Sequence, residues 1–92
     1  MGSHRVKFLK SAEKEFFSLP ETIQEDVLKK IKLLQEFPQM GVAMDRAYAG
    51  YRCVLAGKKQ YRIVYRILNS KNLEISYIRH CRRQMGLRIL SS

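Results

Sequence analysis

Acidic side chains are almost absent from the second half of this 92-residue chain. Residues 47–92 contain ten lysines and arginines but one carboxylate, Glu74, so their net charge is +9. Residues 1–46 contain eight basic and seven acidic side chains, a net charge of +1. With a single carboxylate, the basic half cannot build a carboxylate pair for acid–base catalysis or an acidic cluster for two metal ions. Its charge predicts an anionic partner: nucleic acid first, a membrane surface second, an acidic protein third. A merely solvated basic surface is the alternative.

Motifs for phosphate loops, hydrolases and metal sites are also missing. The chain has no glycine-rich phosphate loop and no Gly-x-Ser-x-Gly element. Its two cysteines, Cys53 and Cys81, form no Cys-x-x-Cys motif, and with His4 and His80 they show no recognisable metal-ligand spacing. We therefore expect reduced cysteines, no metal and no cofactor.

Long apolar stretches are absent as well. No apolar run approaches the roughly 20 residues of a membrane span, and the N-terminus lacks the apolar segment of a signal peptide. We therefore expect a cytoplasmic protein. The length suits one small domain over residues 1–92 with one core. Residues 1–4, Met-Gly-Ser-His, resemble a vector-derived remnant and are left out of functional reasoning.

Three consecutive strands are predicted over residues 51–56, 61–68 and 73–83. β-Branched and aromatic residues dominate these stretches, and the four-residue connections between them contain Gly, Asn or Ser, which is typical of hairpins. Side chains two apart share a face of a strand. In the middle strand, the face predicted to lie on the core carries Tyr61, Ile63, Tyr65 and Ile67, and the opposite face carries Arg62, Val64, Arg66 and Leu68. In the last strand, one face is predicted to carry Leu73, Ile75 and Tyr77, and the other Glu74, Ser76 and Ile78.

The first half predicts a short strand over residues 5–9, with Val6 and Phe8 inward, and two helices. Ser11 suggests the N-cap of a helix over residues 12–17, and Ser18-Leu-Pro-Glu21 resembles a capping box for a second helix. The inward stripe of the second helix is Ile23, Val27, Ile31, Leu34 and Phe37. Pro38 and Gly41 end that helix, and residues 39–50 are predicted to be irregular. The fold class is therefore α+β, with an N-terminal strand and a two-helix hairpin packed on a small, mainly antiparallel sheet.

Positive side chains along the predicted sheet form a candidate phosphate-binding set: Arg52, Arg62, Arg66, Arg79, Arg82 and Arg83, with Lys58 and Lys59 at a hairpin tip. Arginine holds a phosphate through two parallel hydrogen bonds and stabilises charge in a transition state. Metal-free RNA cleavage uses the RNA's own 2′-hydroxyl, so the protein supplies a base, a proton donor and positive charge. His80 is the candidate for proton transfer. A strand-end histidine that only hydrogen-bonds backbone is the alternative, and Tyr61 and Tyr65 are predicted to be core residues.

Several stretches together resemble one family. The helical hairpin is punctuated by Leu19-Pro20 and ends in Phe37-Pro-Gln-Met-Gly41. Gly50-Tyr-Arg52 and Tyr61-Arg-Ile-Val-Tyr-Arg66 follow, and the last strand ends in Ile78-Arg-His-Cys-Arg-Arg83. Over residues 5–83 this pattern resembles the RelE/ParE superfamily, the toxin halves of type II toxin–antitoxin modules. The resemblance implies a two-helix hairpin packed on a small sheet, which agrees with the fold predicted above.

The resemblance also implies two alternative targets. RelE-like members cut messenger RNA on the ribosome with basic residues of the sheet and a late tyrosine, whereas ParE-like members lack that set and poison DNA gyrase. Arg52 and Arg62 match basic positions of RelE-like toxins, and Arg82 or Arg83 matches the late basic position. Val54 replaces a second basic residue, and no tyrosine follows Tyr77.

The catalytic set predicted for RNA cleavage is Arg52, Arg62, His80 and Arg82, and the RNA-binding set is Lys58, Lys59, Arg66, Arg79 and Arg83. The preferred hypothesis is a RelE-like, ribosome-dependent messenger-RNA endoribonuclease that inhibits translation. The alternatives are a ParE-like gyrase inhibitor, for which the His80-Cys-Arg-Arg83 strand end is typical, and a toxin-like binding module without activity. The expected partners are a cognate antitoxin and either the ribosome with its messenger RNA or DNA gyrase, with no membrane partner.

Overall fold

The computed structural model describes residues 4–82, in which two helices pack on one face of a five-stranded sheet. The elements are β1 (Arg5–Phe8), α1 (Lys10–Phe17), α2 (Glu21–Glu36), β2 (Val42–Ala43), a 3₁₀ turn (Arg46–Tyr48), β3 (Arg52–Ala56), β4 (Tyr61–Asn69) and β5 (Asn72–His80). The strand order is β1-β5-β4-β3-β2; β1 runs parallel to β5, and the other neighbours are antiparallel. The predicted α+β fold is confirmed. Arg83 lies outside the described residues, as do residues 84–92, whose apolar side chains predict a segment that docks or forms a short helix.

The core lies between the helices and the sheet. Val27, Ile31 and Leu34 of α2 are buried at helical spacing, so the predicted inward stripe is confirmed for the middle of that helix. Ile23 is half-buried and packs against the same cluster. Phe37 was predicted to be inward but is 58% exposed, because α2 ends at Glu36 and the chain turns away there.

The predicted N-terminal capping residues of both helices are wrong. α1 begins at Lys10 after Leu9, so Ser11 lies inside the first turn and is not the N-cap. α2 follows Pro20 with no side-chain cap, and Ser18 instead follows α1, where its hydroxyl donates to the Glu15 carbonyl at 2.7 Å. Because Ser18 satisfies a C-terminal carbonyl of α1, it does not form a capping box with Glu21.

A β-bulge in β5 reverses the predicted faces of its second half. The pairing steps from Val64–Tyr77 to Tyr65–Ile75, so Ser76 is an extra residue with no partner in β4. Leu73 and Ile75 face the core as predicted, but beyond the bulge it is Ile78 that joins the core cluster, while Tyr77 lies opposite Val64 on the other face. The prediction that Tyr77 shares a face with Ile75 is therefore wrong.

The connections around β4 also differ from prediction in part. The β3–β4 hairpin has the predicted four-residue loop, but β4 and β5 are joined by two residues, Ser70 and Lys71, because both strands extend further than predicted. The segment over residues 39–50, predicted to be irregular, contains β2 and the 3₁₀ turn, and β2 is a sheet edge. None of the described helices is long and apolar enough to cross a membrane.

The turn after α2 is held against β4 by the buried Tyr65. The Tyr65 hydroxyl donates to the Pro38 carbonyl at 2.6 Å and accepts from the Gly41 amide at 3.0 Å. A Cβ atom on Gly41 would lie 2.6 Å from the Tyr65 hydroxyl oxygen and 2.8 Å from Cε1. Glycine is therefore required there for close approach of the backbone to the tyrosine ring.

Gly41→Ala should lower the free energy of unfolding by about 1–3 kcal/mol, because the added methyl overpacks a site in which Tyr65 is bonded on two sides and cannot retreat. Urea denaturation measures this change. Gln39→Ala, in the same turn, removes an exposed side chain and should change stability by less than about 0.5 kcal/mol. Equal stability of the two variants would show that the turn adapts to the methyl group.

Candidate functional site

The helices cover one face of the sheet. The face that they do not cover we call the open face, although Val64 and Glu74 on it are buried. Side chains on the open face are those that alternate with the core residues of β3, β4 and β5: Cys53, Leu55, Arg62, Val64, Arg66, Glu74, Tyr77 and Arg79. In β1, Arg5 and Lys7 alternate with the inward Val6 and Phe8. Three of the arginines predicted to contact RNA or to act in catalysis therefore share this face.

Arg66 is held in place by two neighbours on the open face. Its Nε donates to Glu74 Oε1 at 2.8 Å, and its guanidinium lies 5.5 Å from the centre of the Tyr51 ring. Glu74 is buried, and its carboxylate raises the pKa of Arg66 further above the ordinary value through the hydrogen bond and the charge. Arg66 thus compensates the charge of the buried Glu74 carboxylate, and the positive charge of Arg66 is in turn partly neutralised.

Arg79 is held by an acid that sequence analysis did not select. Glu15 of α1 accepts from Arg79 Nε at 2.6 Å and from the backbone amide of Ile78 at 3.0 Å. β1 pairs only with residues 72–75 of β5, so the edge of β5 beyond them is not covered by β1. The Glu15 carboxylate takes the place of a neighbouring strand there, and Tyr77 lies under the guanidinium at 5.2 Å.

Arg62 occupies the middle of the open face between Leu55 and Arg79. Its charge acts on Cys53, whose pKa is raised by burial, lowered by Arg62 and raised by Cys81. Because burial outweighs the arginine, Cys53 favours the neutral thiol, which is not the reactive form.

Arg52 lies on the opposite face from Arg62. It pairs with Tyr65 in the sheet, and its Nη1 donates to the carbonyls of Gly41 at 2.8 Å and Gln39 at 3.2 Å. Arg52 and Tyr65 together hold the turn after α2. Burial raises the pKa of Tyr65, which remains a neutral hydrogen-bonding group.

His80 also lies on the helix side, at the far end of the sheet. It pairs with Tyr61, the two rings are 5.0 Å apart in an edge-to-face arrangement, and His80 Nδ1 accepts from the Arg82 amide at 3.0 Å. Tyr65, which pairs with Arg52, and Tyr61, which pairs with His80, lie four residues apart on β4. The backbones of Arg52 and His80 are therefore separated by at least about 13 Å.

The predicted catalytic residues are therefore not brought together. Arg62 is on the open face, whereas Arg52 and His80 are on the other face, far apart along the strands. Arg82 is exposed just after β5.

Lys58 and Lys59 are exposed at the β3–β4 hairpin tip as predicted, while Arg83 lies outside the described residues. Between His4 and Arg82, no three His, Cys, Asp or Glu side chains cluster closely enough to hold a metal ion; that the protein uses no metal stays a prediction.

Known structures share this arrangement of helices and strands. The toxin–antitoxin complex RelBE of E. coli contains a chain that matches with a TM-score of 0.75 and 22% identity, covering 88% of this chain and 100% of that chain. A chromosomal ParDE system from P. aeruginosa matches with a TM-score of 0.69 and 16% identity over 87% and 98%. A YoeB/ParE toxin from Agrobacterium tumefaciens matches with a TM-score of 0.71 and 18% identity over 83% and 96%. At these identities the likeness establishes the fold. No curated protein matches the chain in sequence.

The helical hairpin on a five-stranded sheet is thus the fold of RelE/ParE toxins. The model of the family described as the ParE toxin of the type II toxin–antitoxin system parDE matches residues 6–85. The chain belongs to this toxin family.

Proposed function

We propose that this toxin acts in the cytoplasm by inhibiting DNA gyrase, in the manner of ParE-like toxins, and that a cognate antitoxin neutralises it. The observation that carries this proposal is the placement of Arg62 on one face of the sheet and of Arg52 and His80 on the other. The match to a ParE toxin family supports it.

Cleavage of RNA makes a geometric demand that these side chains do not meet. A base, a proton donor and cationic groups must all reach one phosphate, with hydrogen-bond distances near 3 Å in the reacting complex. Side chains that point from opposite faces of a sheet cannot converge on one group. Of the three open-face arginines predicted to bind or cleave RNA, two also hold carboxylates, Arg66 with Glu74 and Arg79 with Glu15. A toxin that blocks its target by binding requires no such convergence.

Ribosome-dependent cleavage of messenger RNA, as in RelE-like toxins, is the second candidate. It is favoured by the net charge of +9 over residues 47–92 and by Arg62 on the same sheet as the exposed Lys58 and Lys59. Under this candidate, Arg62→Ala should abolish cleavage without unfolding the protein. Arg5→Ala, which removes an exposed arginine from β1 of the same sheet, should cleave like the unchanged chain.

An antitoxin partner is supported by the structural relatives, of which those from E. coli and from Mycobacterium tuberculosis are toxin–antitoxin complexes. The basic half of the chain complements an acidic segment. A disordered antitoxin segment that folds on its toxin can cover a large surface of this kind.

One paired experiment separates the candidates. The purified chain is added to gyrase and relaxed plasmid, and in parallel primer extension is run on transcripts minutes after the chain is induced without antitoxin. We expect loss of supercoiling or trapped cleaved plasmid, together with intact transcripts and arrested growth. Fresh breaks inside translated codons that disappear when translation is blocked would instead establish the nuclease. Intact transcripts, active gyrase and normal growth would identify a binding module without activity.

A further inference from the structure

Five positive side chains from three parts of the fold lie together at one end of the molecule, which we call the basic tip. The lysines of the β3–β4 hairpin loop line one cleft together with two lysines of α2. β5 ends beside the same loop, because the Cys81 amide donates to the Gln60 carbonyl at 2.7 Å. The members of the basic tip are Lys29 and Lys30 of α2, Lys58 and Lys59 of the hairpin loop, and Arg82 just after β5.

The charge of the basic tip is not neutralised within the described residues. The ion pairs found in residues 4–82 are Arg66–Glu74 and Arg79–Glu15, and neither uses a side chain of the basic tip. Asp26 is the one acidic residue that lines the cleft. All members are exposed except one lysine of α2, which is half-buried. Neighbouring cations repel one another, so an anionic partner that contacts them all is attracted by each.

The hairpin loop has lysines at two positions that lysine fits poorly. Lys58 and Lys59 have φ angles of 59° and 66°, and across them the Gln60 amide donates to the Gly57 carbonyl at 3.1 Å. Positive φ at both central residues is characteristic of a type I′ turn, for which Asn-Gly is the preferred sequence. The two lysines therefore cost stability that Asn-Gly would not, and backbone strain of this kind is concentrated at functional sites.

The side chains of the basic tip suit phosphates rather than bases. None of them is aromatic, whereas single-stranded nucleic acids are held by aromatic side chains on which successive bases stack. Contacts from lysine and arginine to phosphates position a nucleic acid without reading its sequence. A DNA duplex presents one negative charge per roughly 1.7 Å of its axis, so it can contact several of these cations at once. The basic tip therefore fits the backbone of a duplex of any sequence.

We propose that the basic tip binds the phosphate backbone of the DNA duplex that gyrase holds, so that the toxin contacts the DNA of this complex as well as the enzyme. This inference rests on the gyrase inhibition proposed above and adds the DNA as a second component of the target. Binding of this kind does not require the hairpin lysines to converge with other side chains on one phosphate.

The test compares two double variants that each remove two positive charges, at opposite ends of the sheet. Lys58→Asn with Lys59→Gly gives the hairpin the sequence that its turn prefers, so this variant should unfold at a temperature no lower than the unchanged chain. Arg5→Gln with Lys71→Gln is the matched control. Both of its residues are exposed at the other end of β4, where the Arg5 amide donates to the Lys71 carbonyl at 2.8 Å. β4 has nine residues, so the two sites are roughly 25 Å apart.

Fluorescence anisotropy measures the affinity for a labelled 20-base-pair DNA over a range of salt concentrations, with a 20-nucleotide single-stranded RNA in parallel. The hairpin variant should bind the duplex at least about tenfold more weakly at low salt. The slope of log affinity against log salt should become shallower by about 1.8, which is about 0.9 for each lost phosphate contact. The control should remain within about threefold, with the same slope. The hairpin variant should also require at least about tenfold more protein to inhibit gyrase.

Four results would overturn the proposal. No duplex binding by the unchanged chain, or equal weakening by both double variants, would mean that the basic tip is only a solvated surface. Tighter binding of the single-stranded RNA, with the same dependence on the hairpin lysines, would make the tip an RNA site. Unchanged inhibition of gyrase by the hairpin variant would leave the proposed function standing and confine the contact to the enzyme. Duplex binding without inhibition of gyrase by the unchanged chain would remove the proposed function, and this role of the tip with it.

Discussion

Replacing Tyr65 by alanine should lower the free energy of unfolding by about 3–5 kcal/mol, the largest stability effect that we expect from a single substitution. Tyr65 is fully buried and is the largest fully buried side chain in residues 4–82. It packs in the core cluster with Ile63 and Ile75. The substitution leaves a cavity and also removes both hydrogen bonds to the turn after α2. Urea denaturation monitored by circular dichroism measures the change.

Tyr65→Phe separates the hydroxyl from the ring in that measurement. It keeps the packing but leaves the Pro38 carbonyl and the Gly41 amide without their partner, so it should lose only about 1–3 kcal/mol. If Tyr65→Phe were as damaging as Tyr65→Ala, the hydroxyl and not the ring would dominate. If both were nearly neutral, the turn would not depend on β4, and the placement of Arg52 beside it would lose its structural explanation.

Glu15→Ala should lower the free energy of unfolding by about 1–3 kcal/mol, because one carboxylate serves two donors. The substitution leaves the Ile78 amide without an acceptor and leaves Arg79, which is 30% exposed, without its counter-charge. Thermal or urea denaturation measures the loss. Hydrogen exchange at the Ile78 amide should also become faster, since the edge of β5 opens.

Two comparisons make the Glu15 result specific. Glu13→Ala removes an exposed carboxylate from the same helix and should change stability by less than about 0.5 kcal/mol. Glu15→Gln keeps an oxygen acceptor for Ile78 but loses the charge, so its stability should fall between the other two. Equal stability of the Glu15→Ala and Glu13→Ala variants would mean that the ion pair and the amide contact contribute nothing to folding.

Helices and strands whose pattern of apolar residues lies within one short stretch of sequence could be predicted well. The stripe of Val27, Ile31 and Leu34 has helical spacing, and the alternation of Ile63, Tyr65 and Ile67 has strand spacing, so both elements and their inward faces could be inferred from neighbouring residues alone. Pro38 and Gly41 marked the end of α2 because proline cannot continue a helix and glycine is a poor helix former. The resemblance to RelE/ParE toxins rested on the same local stretches, and the family match confirms it.

Predictions failed where a one-residue shift in strand pairing changes which face of the sheet the following side chains occupy. The predicted four-residue loop and the observed two-residue loop after β4 give the same register, in which Arg66 would pair with Ile75. The irregularity between Ile67 and Asn69 shifts the partner of Arg66 to Glu74. The single extra residue Ser76 exchanges the faces of Tyr77 and Ile78. Side chains alternate with a period of two, so any one-residue shift moves every following side chain to the other face. The local sequence carries no signal for that shift.

The distribution of charge, the order of the elements and the membership of the toxin family follow from the sequence alone, because each depends on composition or on residues close together in the chain. The tertiary structure alone decided which arginines share a face and which are neutralised. Arg52 bonds the turn after α2 through backbone carbonyls, and Arg79 meets Glu15 across 64 positions of sequence. Such contacts depend on how a helix and a sheet edge pack together, and this packing separated residues that the sequence had suggested as one catalytic set.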